Sequence, residues 1–407
     1  MISRKKALIG AIILVLITGA LTFTVSNIIQ IQVDDKVIVD RQKLELWKNS
    51  YEEHSKVYAL EDYIKENFLN EITDKELLDG QLKGMFDSLE DPYSMYMTKN
   101  EFDSFMDHTK GTYGGIGIIV TPGDDNLITI VSPIEDTPGE RSGMKTGDKI
   151  VKVNGKEVTA NEMDDAIKIM KGKPGTDVTI TIKREINEET KFITMDITRE
   201  EIRLISVRSN MLDNKIGYIR IIQFDEPVYE DFKKHLTKLQ DKGMKGLIID
   251  LRNNPGGLLD KCAEITDKLI GKSNIVYTET KKGEREYLKS DADKLDIPLV
   301  ILVNGGSASA SEILSGAVKD TNSGTLIGTK TFGKGIVQRI KKLSDGSGFK
   351  ITVSKYFTPS GKSIHGVGIE PDIEVKLPED IEQIGVDNIK EDIQLKRAID
   401  VIKNKLK

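Results

Sequence analysis

The 407-residue sequence predicts a multidomain protein that mixes α/β and α+β architecture. Three observations carry this. From Lys215 onward, apolar strand-like runs alternate with helical stretches, the pattern of an α/β layer fold. Between Thr112 and Thr198 the chain turns to short β segments punctuated by glycine, and between Trp47 and Met106 apolar residues recur at helical spacing. At roughly 100–200 residues per domain, the length accommodates two or three such units.

The first element is the run Ala7–Ser26, which holds no charged residue and follows Arg4, Lys5 and Lys6. A helix of that length, at about 1.5 Å per residue, crosses a hydrocarbon core of about 30 Å. The positive-inside tendency keeps the three basic residues in the cytoplasm and the rest of the chain outside. A cleaved signal peptide is the alternative, but no A-x-A-like site stands between Gly19 and Gln32.

Next, Tyr58, Ile64, Phe68, Leu77, Leu82, Met85 and Phe86 predict apolar stripes on short helices, interrupted at Asp91-Pro92-Tyr93. In the β-rich region the expected strands are Ile116–Val120, Ile128–Val131, Lys149–Val153 and Val178–Lys183. Asn154-Gly155 makes a hairpin turn because both residues tolerate positive φ. A helix over Asn161–Met170 is ended by Gly172 and Pro174.

In the last part, Ile216–Ile222, Gly246–Leu251 and Leu299–Val303 are continuously apolar, as strands covered on both faces are. Tyr229–Lys242 and Leu258–Leu269 are the helices between them, and Asp387–Lys407 is a final amphipathic helix. The boundaries follow as 1–30 (anchor), 31–110 (helical), 111–198 (β-rich), 199–380 (α/β core) and 381–407 (helical tail).

Several function classes drop out. A net charge of −6 with interspersed signs and no basic–aromatic patch argues against nucleic-acid binding. His54, His108, His235, His365 and Cys262 show no metal-ligand spacing, so no metal or other cofactor is expected. With a single cysteine there is no intramolecular disulfide.

The chemistry concentrates in three segments. The apolar strand ending at Val303 runs into Gly305-Gly306, then Ser307, Ser309 and Ser311 separated by alanines, then a helix. A hydroxyl at that helix start lies beside free N–H groups able to hold a developing anion. Ser309 is the expected nucleophile, although spacing alone leaves Ser307 and Ser311 open. Ser309 with Glu312 also reads as a capping box, which needs no catalysis.

A serine needs a base. Lys334, between Gly333 and Gly335, is misplaced for a strand and reasonable where the backbone must bend to aim a side chain inward. An apolar setting from Phe332, Ile336 and Val337 would favour its neutral form, and Gln338 would accept a hydrogen bond from the amine. The third segment, Asp250–Gly257, is a strand–glycine–helix turn whose amides face outward. It lacks the glycine patterns of nucleotide loops.

LRNNPGG, VNGGSASASEIL, TFGKGIVQ and YFTPSGKSIHGVGIEPD, in this order along the chain, resemble the carboxy-terminal processing peptidases, the tail-specific serine proteases of family S41. The likeness runs from about Tyr93 to Val375. It implies a crotonase-like α/β protease core and a serine-type endopeptidase activity. The middle serine of S-A-S-A-S, Ser309, is then the nucleophile, with Lys334 25 positions later as base and Gln338 beside it. Gly256 or Gly257 and the amide of Ala310 are implied as oxyanion donors.

The β-rich region resembles a PDZ domain through Tyr113–Ile118 and through Gly143–Val158. This implies that a peptide C-terminus adds as a strand, with Gly115, Ile116, Gly117, Ile118, Ile167 and Met170 around it. Substrates are then proteins with apolar C-termini, and the two terminal helical regions point to a homodimer. Two other readings remain at this stage. One is a Ser–His hydrolase using His365 or His235, against which stands the missing G-x-S-x-G elbow. The other is a non-catalytic PDZ scaffold, which would need none of Ser309, Lys334 and Gln338.

Overall fold

The computed structural model describes residues 4–28, 32–33, 36–37, 39–186, 189–378, 381 and 383–407. Residues 1–3, 29–30 and 380, at the edges of the expected anchor and core, lie outside the described residues.

The chain divides into two compact units, 1–82 and 83–407. In the first, the uncharged run lies within a helix over Arg4–Ile28, of which Arg4–Thr24 is long and apolar enough to cross a membrane. A second helix spans Arg41–Asn67, started by Asp40, whose carboxylate accepts from the amides of Gln42 and Lys43. The sequence predicts short helices here. A single helix of 27 residues forms because nothing between Arg41 and Asn67 is a glycine or proline. Trp47, Tyr51 and Tyr58 stay exposed on it.

The larger unit holds three sheets of consequence. The β-rich region forms an antiparallel sheet of strands Glu189–Thr198, Asp177–Ile186, Lys149–Val153, Ile128–Pro133 and Ile118–Pro122, in that spatial order. Ile118–Pro122 is therefore an edge, and the helix Met163–Met170 follows the sheet's third strand in sequence. This strand starts at Ile118 rather than Ile116 because Gly117 takes a φ of +74°. Asn154 and Gly155, at φ of 49° and 78°, make the expected hairpin turn. The entering strand Thr112–Gly115 and the leaving strand Glu200–Arg203 pair with each other in antiparallel register.

The core sheet runs Val207–Leu212, Ile216–Ile221, Gly246–Asp250, Leu299–Val303, Thr325–Gly328 and Ile373–Glu374. All but the first pairing are parallel. Alternate residues of its strands separate into two cores. Ile219, Ile249 and Ile301 pack with helices Val228–Asp241, Leu259–Asp267 and Ala310–Asp320, whereas Tyr218, Ile248 and Val300 pack with the last helix, Ile393–Lys405. Two-sided burial explains why these strands read as unbroken apolar runs. A second, antiparallel sheet contains Arg285–Ser290, Ser273–Thr280, Gly348–Phe357 and Ile336–Lys342, with Met95–Met97 joined to the third of these.

Candidate active site

Ser309 ends the connection between the buried strand Leu299–Val303 and the helix Ala310–Asp320. Its backbone stands at φ 53° and ψ −113°, a conformation L-residues rarely occupy and one that persists only where surroundings enforce it. The enforcing group is Glu312, fully buried. Its Oε2 accepts from the amides of Ser309 (2.9 Å) and Lys334 (2.8 Å), and its Oε1 accepts from Thr331 Oγ1 (2.5 Å) and the Gly333 amide (2.8 Å). Ser309 and Glu312 form the expected capping box: the Glu312 carboxylate accepts from the Ser309 amide, and the Ser309 side chain faces the Glu312 amide, whose closest bond is to the Ser309 carbonyl at 2.9 Å.

The three serines separate by their partners. Ser307 Oγ donates to the Leu251 carbonyl at 2.8 Å and Ser311 Oγ to the Asn254 carbonyl at 3.0 Å, both buried. Of the three, only Ser309 lines a cavity of about 330 Å³. Lys334 and Gln338 line the same cavity, together with Gly256, Gly257 and Ala310.

Lys334 lies in an irregular segment before the strand Ile336–Lys342. Gly333 takes a φ of +96°, and a Cβ there would approach the Gly368 amide to 2.9 Å; a Cβ on Gly335 would meet the His365 amide at 2.6 Å. Both glycines are thus required by backbone packed against them. Burial is the main cause that pushes the Lys334 amine below the usual lysine range, with the Lys350 cation adding to it and Asp91 and Glu312 opposing. The ring beside the amine is Tyr93, with Nζ 4.8 Å from its centre, while Phe332 is 58% exposed and plays no part. Gln338 does not bond the amine either. Its Nε2 donates to Thr352 Oγ1 at 3.4 Å, and the Thr352 amide donates to Ser94 Oγ, which donates to Asp91.

The glycine turn approaches Ser309 closely. A Cβ on Gly256 would sit 2.8 Å from the Ser309 Cβ and 2.9 Å from the Ala310 nitrogen, so no other residue fits. The Gly256 amide donates to Asn254 Oδ1 at 2.8 Å. Gly257 pairs in parallel with Phe224, whose N–H donates to the Gly256 carbonyl at 2.9 Å and whose carbonyl accepts from the Leu258 amide at 2.6 Å. Among the described residues the amides of Gly257 and Ala310 donate to no group.

Other expected residues lie elsewhere. His235 Nδ1 is 2.6 Å from Ser209 Oγ on the core's edge strand, and His365 Nδ1 faces the Gly335 amide at 3.4 Å; neither lines the cavity. In the β-rich region Ile116 and Met170 belong to the sheet's buried core, whereas Ile118 and Ile167 are half-buried against it. Gly115 is paired within the entering strand, and the amides of Ile116 and Gly117 donate to no group among the described residues.

Sequence reading missed four contributors: Tyr93, Lys350, Tyr356 and the full role of Glu312. Asp91-Pro92-Tyr93 showed only as a break in periodicity. The Tyr356 hydroxyl lies 3.1 Å from the Ser309 carbonyl and within bonding reach of the Lys334 carbonyl, so it ties the two segments together, yet it looks like any strand tyrosine.

Comparison with known proteins matches this architecture part by part. Residues 215–375 match the model of peptidase family S41, residues 129–184 that of a PDZ domain, and residues 15–101 that of the activating protease CtpB N-terminal domain. A carboxy-terminal-processing protease of Bartonella bacilliformis is 38% identical over 339 residues, which cover 81% of this chain and 77% of the relative. The carboxy-terminal processing protease CtpA of Bacillus subtilis is 39% identical over 320 residues, 78% of this chain and 68% of that one. A crystal structure of a Bacteroides fragilis protein assigned to the S41 proteases shares the fold, with a TM-score of 0.51 at 16% identity over 79% of this chain and 90% of the other. The chain is therefore a serine-type peptidase of family S41, and it belongs among the carboxy-terminal processing proteases that carry a PDZ domain.

Proposed function

We propose that this peptidase is held in the membrane by Arg4–Thr24, works on the extracytoplasmic side, and cleaves proteins by a Ser309–Lys334 dyad after its PDZ domain has engaged an apolar C-terminus. The observation that carries the dyad is that, of the three adjacent serines, only Ser309 lines the cavity into which Lys334 also faces.

In this mechanism the neutral amine of Lys334 leaves the Tyr93 ring and accepts the Ser309 hydroxyl proton as Oγ bonds to the scissile carbonyl carbon. The carbonyl electron pair becomes an oxyanion facing the Gly257 and Ala310 amides, the pair left unengaged once Gly256 is committed to Asn254. Collapse breaks the C–N bond, and Lys334 returns its proton to the leaving amine. Water, deprotonated by the same amine, then hydrolyses the acyl-enzyme. Gln338, anchored on Thr352, bounds the lysine's range of motion and receives it through Oε1.

Recognition of the C-terminus is supported by the free edge of Ile118–Pro122 and the unengaged amides of Ile116 and Gly117, which suit a terminal carboxylate. The exposed Trp47, Tyr51 and Tyr58 of the N-terminal unit support a homodimer, for which sedimentation of the protein with and without residues 41–67 is the check.

Incubation with an unfolded protein tests the core of the proposal. Ser309→Ala and Lys334→Ala should abolish cleavage while His365→Ala retains it. Cleavage by Ser309→Ala at the wild-type rate would refute the dyad.

A further inference from the structure

The cavity contains a second lysine that the dyad does not use. Lys350 lies on the strand Gly348–Phe357, between Ile340 of one neighbouring strand and Met95 of the other. It lines the same cavity as Ser309 and Lys334. Alternation along the strand puts it on one face with Thr352, the partner of Gln338.

What sets Lys350 apart is what it lacks. Among the described residues no carboxylate lies within 4.0 Å of its Nζ, and the ammonium has no hydrogen-bond acceptor. Its ammonium stands 5.6 Å from the centre of the Phe105 ring, near the limit at which a ring face attracts a cation. Asp91 acts on it only from a distance, since that carboxylate is engaged by Ser94 and the Tyr93 amide. His108 of the facing helix, Lys334 and Tyr356 are the other titratable groups on the cavity wall. A half-buried ammonium without a partner is costly unless a ligand supplies one.

We infer that Lys350 is a carboxylate-binding subsite of the catalytic cavity, which holds an anionic group of the bound polypeptide close to the bond being cut. The inference rests on the reading of this cavity as the peptidase site. Lys350 pairs with Ile340, two strand residues beyond Gln338, or about 7 Å. Because Lys350 and Ser309 line one cavity, the carboxylate is placed within a few residues of the scissile bond, and the first three positions are the ones to test. Two sources present this group: the chain's own terminus, and an aspartate or glutamate side chain near it. The site is separate from the PDZ edge strand, so it would select for the segment being cut and not for the segment that docks.

The test uses the full-length protein in detergent and short peptides built around a cleavage site mapped in an unfolded protein. One arm compares a free carboxyl terminus with its amide at one, two and three residues from the scissile bond. A second arm compares Glu with Gln at those positions within a longer, amidated peptide. Lys350 also depresses Lys334, so its removal moves the rise of activity to higher pH, and all rates are taken on the alkaline plateau.

The expected result is about a tenfold preference in kcat/KM for the carboxylate at one position, carried by KM, as a charge-assisted bond of ordinary strength gives. Lys350→Met should bring the ratio to about one, and Lys350→Arg should keep it. Should Lys350→Met fail to fold, Lys350→Gln serves the same purpose. The arm that shows the preference identifies the source of the group. No preference in either arm with wild type, or a preference that survives Lys350→Met, overturns the subsite; the latter would place it in the PDZ domain. Ser309→Ala keeps the two readings apart, because cleavage retained in that variant breaks the dyad, whereas its loss combined with an acid-to-amide ratio of one breaks only the subsite.

Discussion

The amine of Lys334 lies 4.8 Å above the centre of the Tyr93 ring. A ring face favours the ammonium over the neutral amine, so Tyr93 acts against the burial that drives the lysine toward neutrality. In the proposed dyad the base thus rests beside a ring that favours its protonated form. Asp91 and Glu312 pull the same way, and Lys350 pulls the other.

The sign of the consequence is fixed. If Lys334 is the base proposed above, activity needs its neutral form, so it should be low below the lysine's depressed pKa and rise through it to a plateau. Tyr93→Leu removes a contact of about 0.5–2 kcal/mol and should move that rise to lower pH by about 0.4–1.5 units. Tyr93→Phe keeps the ring and should leave it near the wild-type position. A kcat/KM profile of the three proteins checks this; an unmoved limb in Tyr93→Leu would show that the ring contact has no influence on the base.

Glu312 holds Ser309 in its positive-φ conformation and holds the Lys334 segment through the same carboxylate. Replacing it with Gln turns one acceptor oxygen into a donor that faces backbone N–H groups. Unpaired buried donors cost about 1–3 kcal/mol each. Glu312→Gln should therefore lose at least about 2 kcal/mol of stability in urea titrations and most of its turnover. Wild-type activity in this variant would mean that the serine's geometry does not depend on the carboxylate.

Arg252 is wholly buried just before the glycine turn, between Asp250 at 2.6 Å and Asp392 at 2.8 Å, with Gln394 also accepting from it. Asp392 caps the last helix through the Leu395 amide, and its pairing with Arg252 holds its carboxyl below the usual range. Asp392→Ala leaves a buried charge half-compensated and removes a cap, at a cost of about 3–5 kcal/mol. Denaturant midpoints measure it, and a change below about 1 kcal/mol would contradict the assignment.

Cys262 packs behind the start of the Ala310–Asp320 helix, with its thiol donating to the Ala310 carbonyl at 3.0 Å, and burial pushes its pKa up to about 12. It should resist aromatic disulfide reagents in the folded protein and react at once in denaturant. Rapid labelling under native conditions would contradict the packing around Ala310.

Legibility followed the range of the interactions. The buried strands Gly246–Asp250 and Leu299–Val303 declared themselves by composition, and the Asn154-Gly155 turn by local backbone preference. Ser309 and Lys334 were visible because each sits in a glycine- or alanine-rich setting that only close backbone approach explains. Tyr93, Lys350 and Tyr356 reach the cavity from strands and turns that are distant in sequence, and nothing local marks them. The burial around Lys334 was expected from its sequence neighbours Phe332, Ile336 and Val337, of which Ile336 and Val337 do line the cavity. It comes in part from Tyr93, because residue 332 precedes the bend at Gly333 and points outward. Similarly, local spacing made Gln338 the lysine's partner, while its amide bonds across the strand pair to Thr352.

The most direct measurement is the rate at which a fluorophosphonate labels Ser309 as a function of pH, in wild type and in Lys334→Arg. Labelling should rise to a plateau at a pH below the ordinary lysine value of about 10.4, and Lys334→Arg should stay at background because a guanidinium does not give up its proton. Labelling of Lys334→Arg at the wild-type rate would contradict the account.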